Sequence, residues 1–186
     1  GEELNADIIL SNADPKRTFL TLVEDSALEP EFLEGIRRLK TDVSYLKFHC
    51  ALNELPDFSA YLEDEYDPRY LAQMRICPSV EYYEQSWADA RSGKPSSCPV
   101  MYIQIPSVYD KTLTPEGKHV MSIWVLYAPV KPSEGTWDSL NKQVGEHLID
   151  TINEYAPNFR ESIIDWLLFT SKDIEERVYL TDGNIR

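Results

Sequence analysis

Glycine is scarce in this chain: seven residues in 186, with no G-x-G-x-x-G and no G-x-x-x-x-G-K-[ST] pattern. Those loops let backbone amides approach a diphosphate at a helix N-terminus, so the chain by itself lacks the usual dinucleotide cradle. Cysteine is as thin. Cys50, Cys77 and Cys98 are widely spaced and odd in number, which speaks for reduced thiols in a cytosol-like compartment rather than a disulfide framework. They have no C-x-x-C spacing, and His49, His119 and His147 have no H-x-x-x-H spacing, so no metal site is expected. No apolar run approaches the roughly 20 residues that span a bilayer. The longest candidates, Ile163-Ile164 and residues 166–169, are interrupted by Asp165, and no transmembrane segment is expected. The first residues carry neither the basic nor the apolar part of a signal peptide. Positive charge is the last shortage. Eighteen basic against 32 acidic side chains leave a net charge of −14, which repels phosphate backbones and anionic headgroups, so no nucleic-acid partner is expected.

What is present is ordinary globular material, 42% hydrophobic and 27% charged, enough for one large domain or two small ones. No internal repeat or low-complexity tract occurs. Residues 7–11 are short, apolar and β-branched, a strand by pattern, and run into Asp14-Pro15, an N-cap followed by a first-turn proline. Pro30 opens a second helix with Phe32, Leu33, Ile36 and Leu39 on one face. Residues 43–52 switch to a period of two, with Leu46, Phe48, Cys50 and Leu52 on one side. Residues 70–77 alternate again. Ser79 caps a helix with the stripe Val80, Tyr83, Trp87 and Ala90, and Gly93 sits at its C-terminal cap. Strands follow at 100–105 and 119–127. Thr136 then opens the longest helix, with Trp137, Leu140, Val144, Leu148, Ile152 and Tyr155 at helical spacing. A last strand at 163–170 and a short helix at 172–178 complete the order. Neighbouring strands without intervening helices predict an α+β fold, a mixed, largely antiparallel sheet covered by helices.

Catalytic motifs are few. The acidic cluster Glu63, Asp64, Glu65 and Asp67 lacks the register of a calcium loop and reads as a solvated turn. No G-x-S-x-G elbow accompanies the serines and histidines, so a cofactor-free hydrolase has no nominated nucleophile and no catalytic residue is named. The less apolar strand faces say more. They carry Tyr45, Lys47 and His49, then Arg75, then Tyr102 and Gln104, then Ser122 and Trp124. Aligned across one sheet they would make a wall of rings and hydrogen-bonding groups suited to a ligand, or else an ordinary wet sheet face.

A series of short blocks carries a resemblance. They are Ala6-Asp7-Ile8-Ile9-Leu10-Ser11-Asn12-Ala13-Asp14-Pro15, Leu55-Pro56-Asp57-Phe58, Thr114-Pro115-Glu116-Gly117-Lys118-His119-Val120-Met121-Ser122, Tyr155-Ala156-Pro157-Asn158-Phe159-Arg160 and Leu180-Thr181-Asp182-Gly183-Asn184-Ile185. In this order they resemble the phytoene desaturase-like superfamily of FAD-dependent oxidoreductases, and within it the pyridine nucleotide-disulphide oxidoreductase domain-containing proteins. The resemblance implies a fragment: residues 1–14 as the edge of an FAD-binding domain and residues 15–186 as a substrate-binding domain, inactive alone. It implies FAD in the full-length parent with none bound to this stretch, a missing FAD-binding domain of the same chain as partner, and an apolar small-molecule substrate. Ser11, Asn12 and Ala13 would lie near the cofactor, and Tyr45, Lys47, His49, Arg75, Tyr102, Gln104 and Trp124 would face the substrate. The expected location is the cytoplasm, or the mitochondrial matrix for a eukaryotic parent. Loss of a partner domain should leave apolar or aromatic surface exposed on one sheet face, with Tyr45, Tyr102 and Trp124 as the candidates. The alternative reading of the same acidic chain is an independent protein-interaction module without catalysis.

Overall fold

Alternation along one strand organises the molecule. The computed structural model describes residues 2–62 and 66–185. In β1 (Val43–Leu52) the side chains of Leu46, Phe48, Cys50 and Leu52 are buried while Tyr45, Lys47 and His49 between them are half-buried. The described residues form a five-stranded sheet in the order β2 (Met74–Ile76), β3 (Val100–Gln104), β4 (His119–Pro129), β1, β5 (Ile163–Phe169). Every pairing is antiparallel. The fold is α+β, as the sequence predicts.

The inner face of the sheet unites the β1 residues with Met101 and Ile103, with Met121, Ile123 and Val125, and with Leu168. Helix α4 (Trp137–Asn153) covers it with Val144, Leu148, Ile149 and Ile152. Each such side chain contributes about 1.5–3 kcal/mol on full burial. Thr136 and Ser139 close a capping box at the start of α4, and the Trp137 indole donates to the Pro129 and Val130 carbonyls at 3.2 and 3.1 Å, which fixes the helix to the end of β4. Closeness is set by Gly145, where an added Cβ would lie 2.4 Å from the Trp166 ring.

Helix α3 (Val80–Arg91) covers only one end of the outer face. Its Ala90 packs with Val43, Val100, Leu126 and Tyr127. The buried Ser86 hydroxyl donates to the Leu126 carbonyl at 2.6 Å and accepts the Tyr127 amide at 2.7 Å, beside the register shift of β1 between Ser44 and Leu46. The expected stripe is therefore rotated. Val80 and Trp87 are exposed, because small residues face the strand so that Ser86 can reach its backbone.

Other expectations are corrected. Residues 7–11 form no strand, and Ile8, Ile9 and Leu10 are 79%, 82% and 92% exposed. β-branched composition favours a ladder but cannot supply a partner, and no strand of the sheet pairs with this segment. In residues 70–77 only β2 is extended. Pro68–Ala72 is a 3-10 turn, started by the Asp67 carboxylate accepting the Arg69 amide at 2.9 Å. Asp67 is also paired to the Arg69 guanidinium, while Glu63, Asp64 and Glu65 of the same acidic cluster lie outside the described residues. In α2 (Pro30–Arg37) Leu33 and Ile36 are buried, whereas Phe32 is partly exposed and edge-on to Phe19.

Residues 14–17 and 179–184 meet near the start of β1. Asp14 caps α1 (Pro15–Arg17), which continues as a π-helical turn, Thr18–Leu22. Its carboxylate also accepts from the Thr181 amide at 2.9 Å and hydroxyl at 3.0 Å. After α5 (Phe159–Ser162) and α6 (Ser171–Val178) the chain reaches Gly183, whose carbonyl accepts from Ser44, and Asn184, whose amide donates to the Val43 carbonyl at 2.8 Å. Burial alone would raise the Asp14 pKa, but the Arg17 and Thr181 donors outweigh it and hold the carboxyl below its ordinary value.

Gly183 has φ +57°, and an added Cβ would meet the Ser171 carbonyl oxygen at 1.9 Å, so Gly183→Ala should cost at least about 2 kcal/mol in urea unfolding. Gly35 in α2 has open space around it, so Gly35→Ala should gain about 0.5–1 kcal/mol. With its folded pKa depressed, Asp14 stabilises the fold above its unfolded value, and that contribution is lost as pH falls through the folded one. Asp14→Asn should therefore flatten the stability decline in acid below about pH 4, read by urea midpoints across that range.

Candidate functional site

Period two places every outward side chain of the sheet on one surface, and antiparallel register lines them up. Lys47 stands opposite Trp124, Trp124 opposite Tyr102, and Tyr102 opposite Arg75, while on the other side Lys47 stands opposite Phe169. One transverse row thus reads Phe169, Lys47, Trp124, Tyr102, Arg75 across five strands. The next row holds Leu167, His49, Ser122 and Gln104. Tyr45 lies toward the α3 end, its ring 6.4 Å from Trp124 and 5.7 Å from Tyr127. All seven residues expected to face a substrate share this surface. Tyr45, Tyr102 and Trp124 are half-buried rather than exposed, packed against the smaller cluster of Val43, Ala90, Val100, Leu126 and Tyr127 and apart from the inner core.

Cations lie against the rings. The Lys47 ammonium is 4.0 Å from the Trp124 ring centroid, the Arg75 guanidinium 5.2 Å from Tyr102, and Arg177 of α6 4.6 Å from Phe169. Each such contact contributes about 0.5–2 kcal/mol, more as water is excluded. Among the described residues, the ion pairs lie elsewhere and none includes Lys47 or Arg75. Asp165 shares the surface but stands opposite Ala51, four residues along β1 from Lys47 or about 13 Å. Burial pushes the Lys47 pKa down. His49 is lowered as well, first by burial and then by the Lys47 charge.

An open cavity of about 370 Å³ occupies the covered end of this surface, lined by Tyr45, Tyr102, Gln104 and Trp124 together with Tyr83 and Ile185. Tyr83 and Tyr127 share a hydroxyl–hydroxyl bond of 2.6 Å, which with burial lifts the Tyr83 pKa to about 12. Lys47, His49 and Arg75 flank the cavity on the same face without lining it. A larger groove, about 480 Å³, lies by Gly93 and His147, but it combines Lys94 with Glu134 and has no aromatic wall. Sequence reasoning missed Phe169, although its alternation with Leu168 signalled the face. It could not reach Tyr83 and Ile185, which only tertiary folding brings to the cavity.

The structure does not bring Ser11, Asn12 and Ala13 into this row. The Ser11 hydroxyl is bonded to that of Thr18 at 2.8 Å and accepts the Ala13 amide at 3.3 Å. They connect to the sheet face indirectly. Asp14 holds Thr181, Asn184 holds Val43, and Ile185 enters the cavity. The residues present do not fit the diphosphate half of a dinucleotide. The N-termini of α1, α3, α4 and α6 are capped by Asp14, Ser79, Thr136 and Thr170, at α1 by an anion, and the N-terminus of α2, without a side-chain cap, is flanked by Glu29 and Glu31. Among the described residues no cluster of three His, Cys, Asp or Glu could hold a metal ion, and no helix is long and apolar enough to cross a membrane.

Comparison with known proteins relates this α+β domain to oxidoreductases of the phytoene desaturase-like superfamily, in agreement with its sequence blocks. No family model matches the chain. It is 34% identical over 191 residues to "Pyridine nucleotide-disulfide oxidoreductase domain-containing protein 2" of Rattus norvegicus, an alignment that covers 100% of this chain and 33% of that protein. It is 24% identical over 162 residues to "Phytoene desaturase" of Fusarium fujikuroi, covering 83% of this chain and 25% of that protein. It is 24% identical over 190 residues to "Inactive all-trans-retinol 13,14-reductase" of Danio rerio, covering 96% of this chain and 28% of that protein. The chain thus spans between a quarter and a third of the length of these relatives.

The electrostatics of the row are testable. A depressed His49 pKa means that protonation opposes folding. Stability is full above the unfolded value near 6.5 and declines as pH falls below it toward the folded pKa. Lys47→Met should raise the His49 pKa in an NMR titration by removing the neighbouring charge, yet leave it below the ordinary value because burial persists.

Proposed function

We propose that this chain is the substrate-binding domain of an FAD-dependent oxidoreductase of the phytoene dehydrogenase/desaturase kind, and that it holds a substrate over a flavin bound by protein outside this chain. The observation that carries the reading is the open outer face of the sheet, on which Tyr45, Lys47, His49, Arg75, Tyr102, Gln104 and Trp124 converge beside a cavity. Relatives with oxidoreductase or reductase in their names, one of them called inactive, align with 100% and 96% of this chain and extend well beyond it, which leaves room for a cofactor domain. Names of two relatives speak of phytoene and retinol, long apolar molecules that suit a ring-lined wall.

On this reading residues 1–14 are the edge of the FAD-binding domain and residues 15–186 form the substrate domain. The exposed Ile8, Ile9 and Leu10 support that division, since a β-prone apolar segment without a ladder partner here suits pairing in a neighbouring sheet. Ser11, Asn12 and Ala13 would then approach the cofactor. A flavin supplies the hydride-accepting chemistry, and this chain supplies position and electrostatics. Three free thiols, Cys50, Cys77 and Cys98, support a reducing compartment, the cytoplasm or the matrix of mitochondria.

Calorimetry of the isolated chain with FAD should give no stoichiometric binding, and tight one-to-one binding would overturn the division of labour. In the protein encoded by the complete reading frame, FAD should copurify. The double variant Tyr102→Ala/Trp124→Ala should keep that flavin but lose substrate-dependent flavin reduction. A protein without FAD, or a variant reduced at the normal rate, refutes the proposal.

A further inference from the structure

The outer face also bears on what kind of molecule it takes. The chain carries a net charge of −14, and the ion pairs among its described residues engage Arg37, Arg38, Arg69, Arg160 and Lys172. Lys47 and Arg75 are among the basic side chains outside these pairs. Among the described residues neither has a carboxylate within ion-pair distance, and each rests against a ring instead. None of the residues lining the adjacent cavity is acidic. Tyr102, Trp124, Tyr45 and Tyr83 supply flat apolar walls, and Gln104 and Gln73 supply neutral polar ends. Lys47 is half-buried between Trp124 and Phe169, so it is partly stripped of water and interacts more strongly with an added anion than an exposed lysine would. Lys47 and Arg75 flank the two rings across three strand spacings, about 14 Å.

Building on the reading of this face as the substrate wall, we propose that its ligand is an amphipathic carboxylate: an apolar, planar body lying against Tyr102 and Trp124, and an anionic end bound by the Lys47 ammonium. Arg75 closes the far end of the row against Tyr102. The same geometry selects against neutral analogues of equal size, because they leave the ammonium dehydrated and uncompensated.

A matched pair of probes tests this. Naphthalene-2-carboxylate and 2-naphthylmethanol are titrated into the chain and followed by NMR at the Trp124 indole. The carboxylate should bind at least about tenfold more tightly, and its advantage should shrink with added salt. Lys47→Met should erase the preference, Lys47→Arg should restore it, and Lys172→Met should leave it unchanged. Superimposable spectra away from the row show that each variant is folded. Equal affinity for the two probes, a preference that survives Lys47→Met, or binding of neither probe overturns the proposal. The FAD content of the complete protein is measured in parallel. A protein that holds flavin but shows no carboxylate preference refutes the ligand class alone, whereas a protein without flavin refutes the oxidoreductase reading whatever the probes do.

Discussion

A β-strand hands successive side chains to opposite sides, and β1 is where that constraint governs the whole molecule. It lies between β4 and β5, so its inner residues Phe48, Cys50 and Leu52 are walled by strands on both edges and roofed by α4. A slip of one residue would send Phe48 to the outer surface and Lys47 into the core. The second outcome is prohibitive, because an ammonium buried without a partner costs far more than an aliphatic side chain gains. The register that forms the core is therefore the same register that aligns Phe169, Lys47, Trp124, Tyr102 and Arg75.

The outer face is finished unevenly. At one end α3 covers it and repairs the backbone near the β1 irregularity through Ser86, whose hydroxyl both gives and accepts a hydrogen bond with β4. Farther along the row three cations lie against the rings, Arg177 of α6 among them; burial lowers the Lys47 pKa, and burial with the Lys47 charge lowers that of His49. Such an arrangement contributes little to stability compared with the inner core, where a dozen large side chains are almost wholly removed from water.

The clamp of Asp14, Thr181, Gly183 and Asn184 on the start of β1 joins these two themes. It brings Asp14 and residues 181–185 to the end of the sheet where the cavity opens, with Ile185 as one of the cavity walls.

Local pattern was sufficient for much of this. The period-two run of residues 43–52, the caps at Asp14, Ser79 and Thr136, and the helical stripe from Trp137 to Ile152 depend on short-range geometry and on which side of an element is apolar, and both are written in adjacent residues. Which residues of each strand lie on its less apolar side, Tyr45 and Lys47, Arg75, Tyr102 and Trp124, was legible for the same reason. Tertiary structure alone decided what depends on partners distant in the chain. Residues 7–11 have strand composition and no neighbour to pair with. α3 turns Ser86 rather than Trp87 inward because of a backbone it meets forty residues later. Lys47 and Arg75 come into one row only through three inter-strand registers, and the cavity closes only when Tyr83 and Ile185 arrive. Pairing is a long-range property, and no window of neighbouring residues contains it.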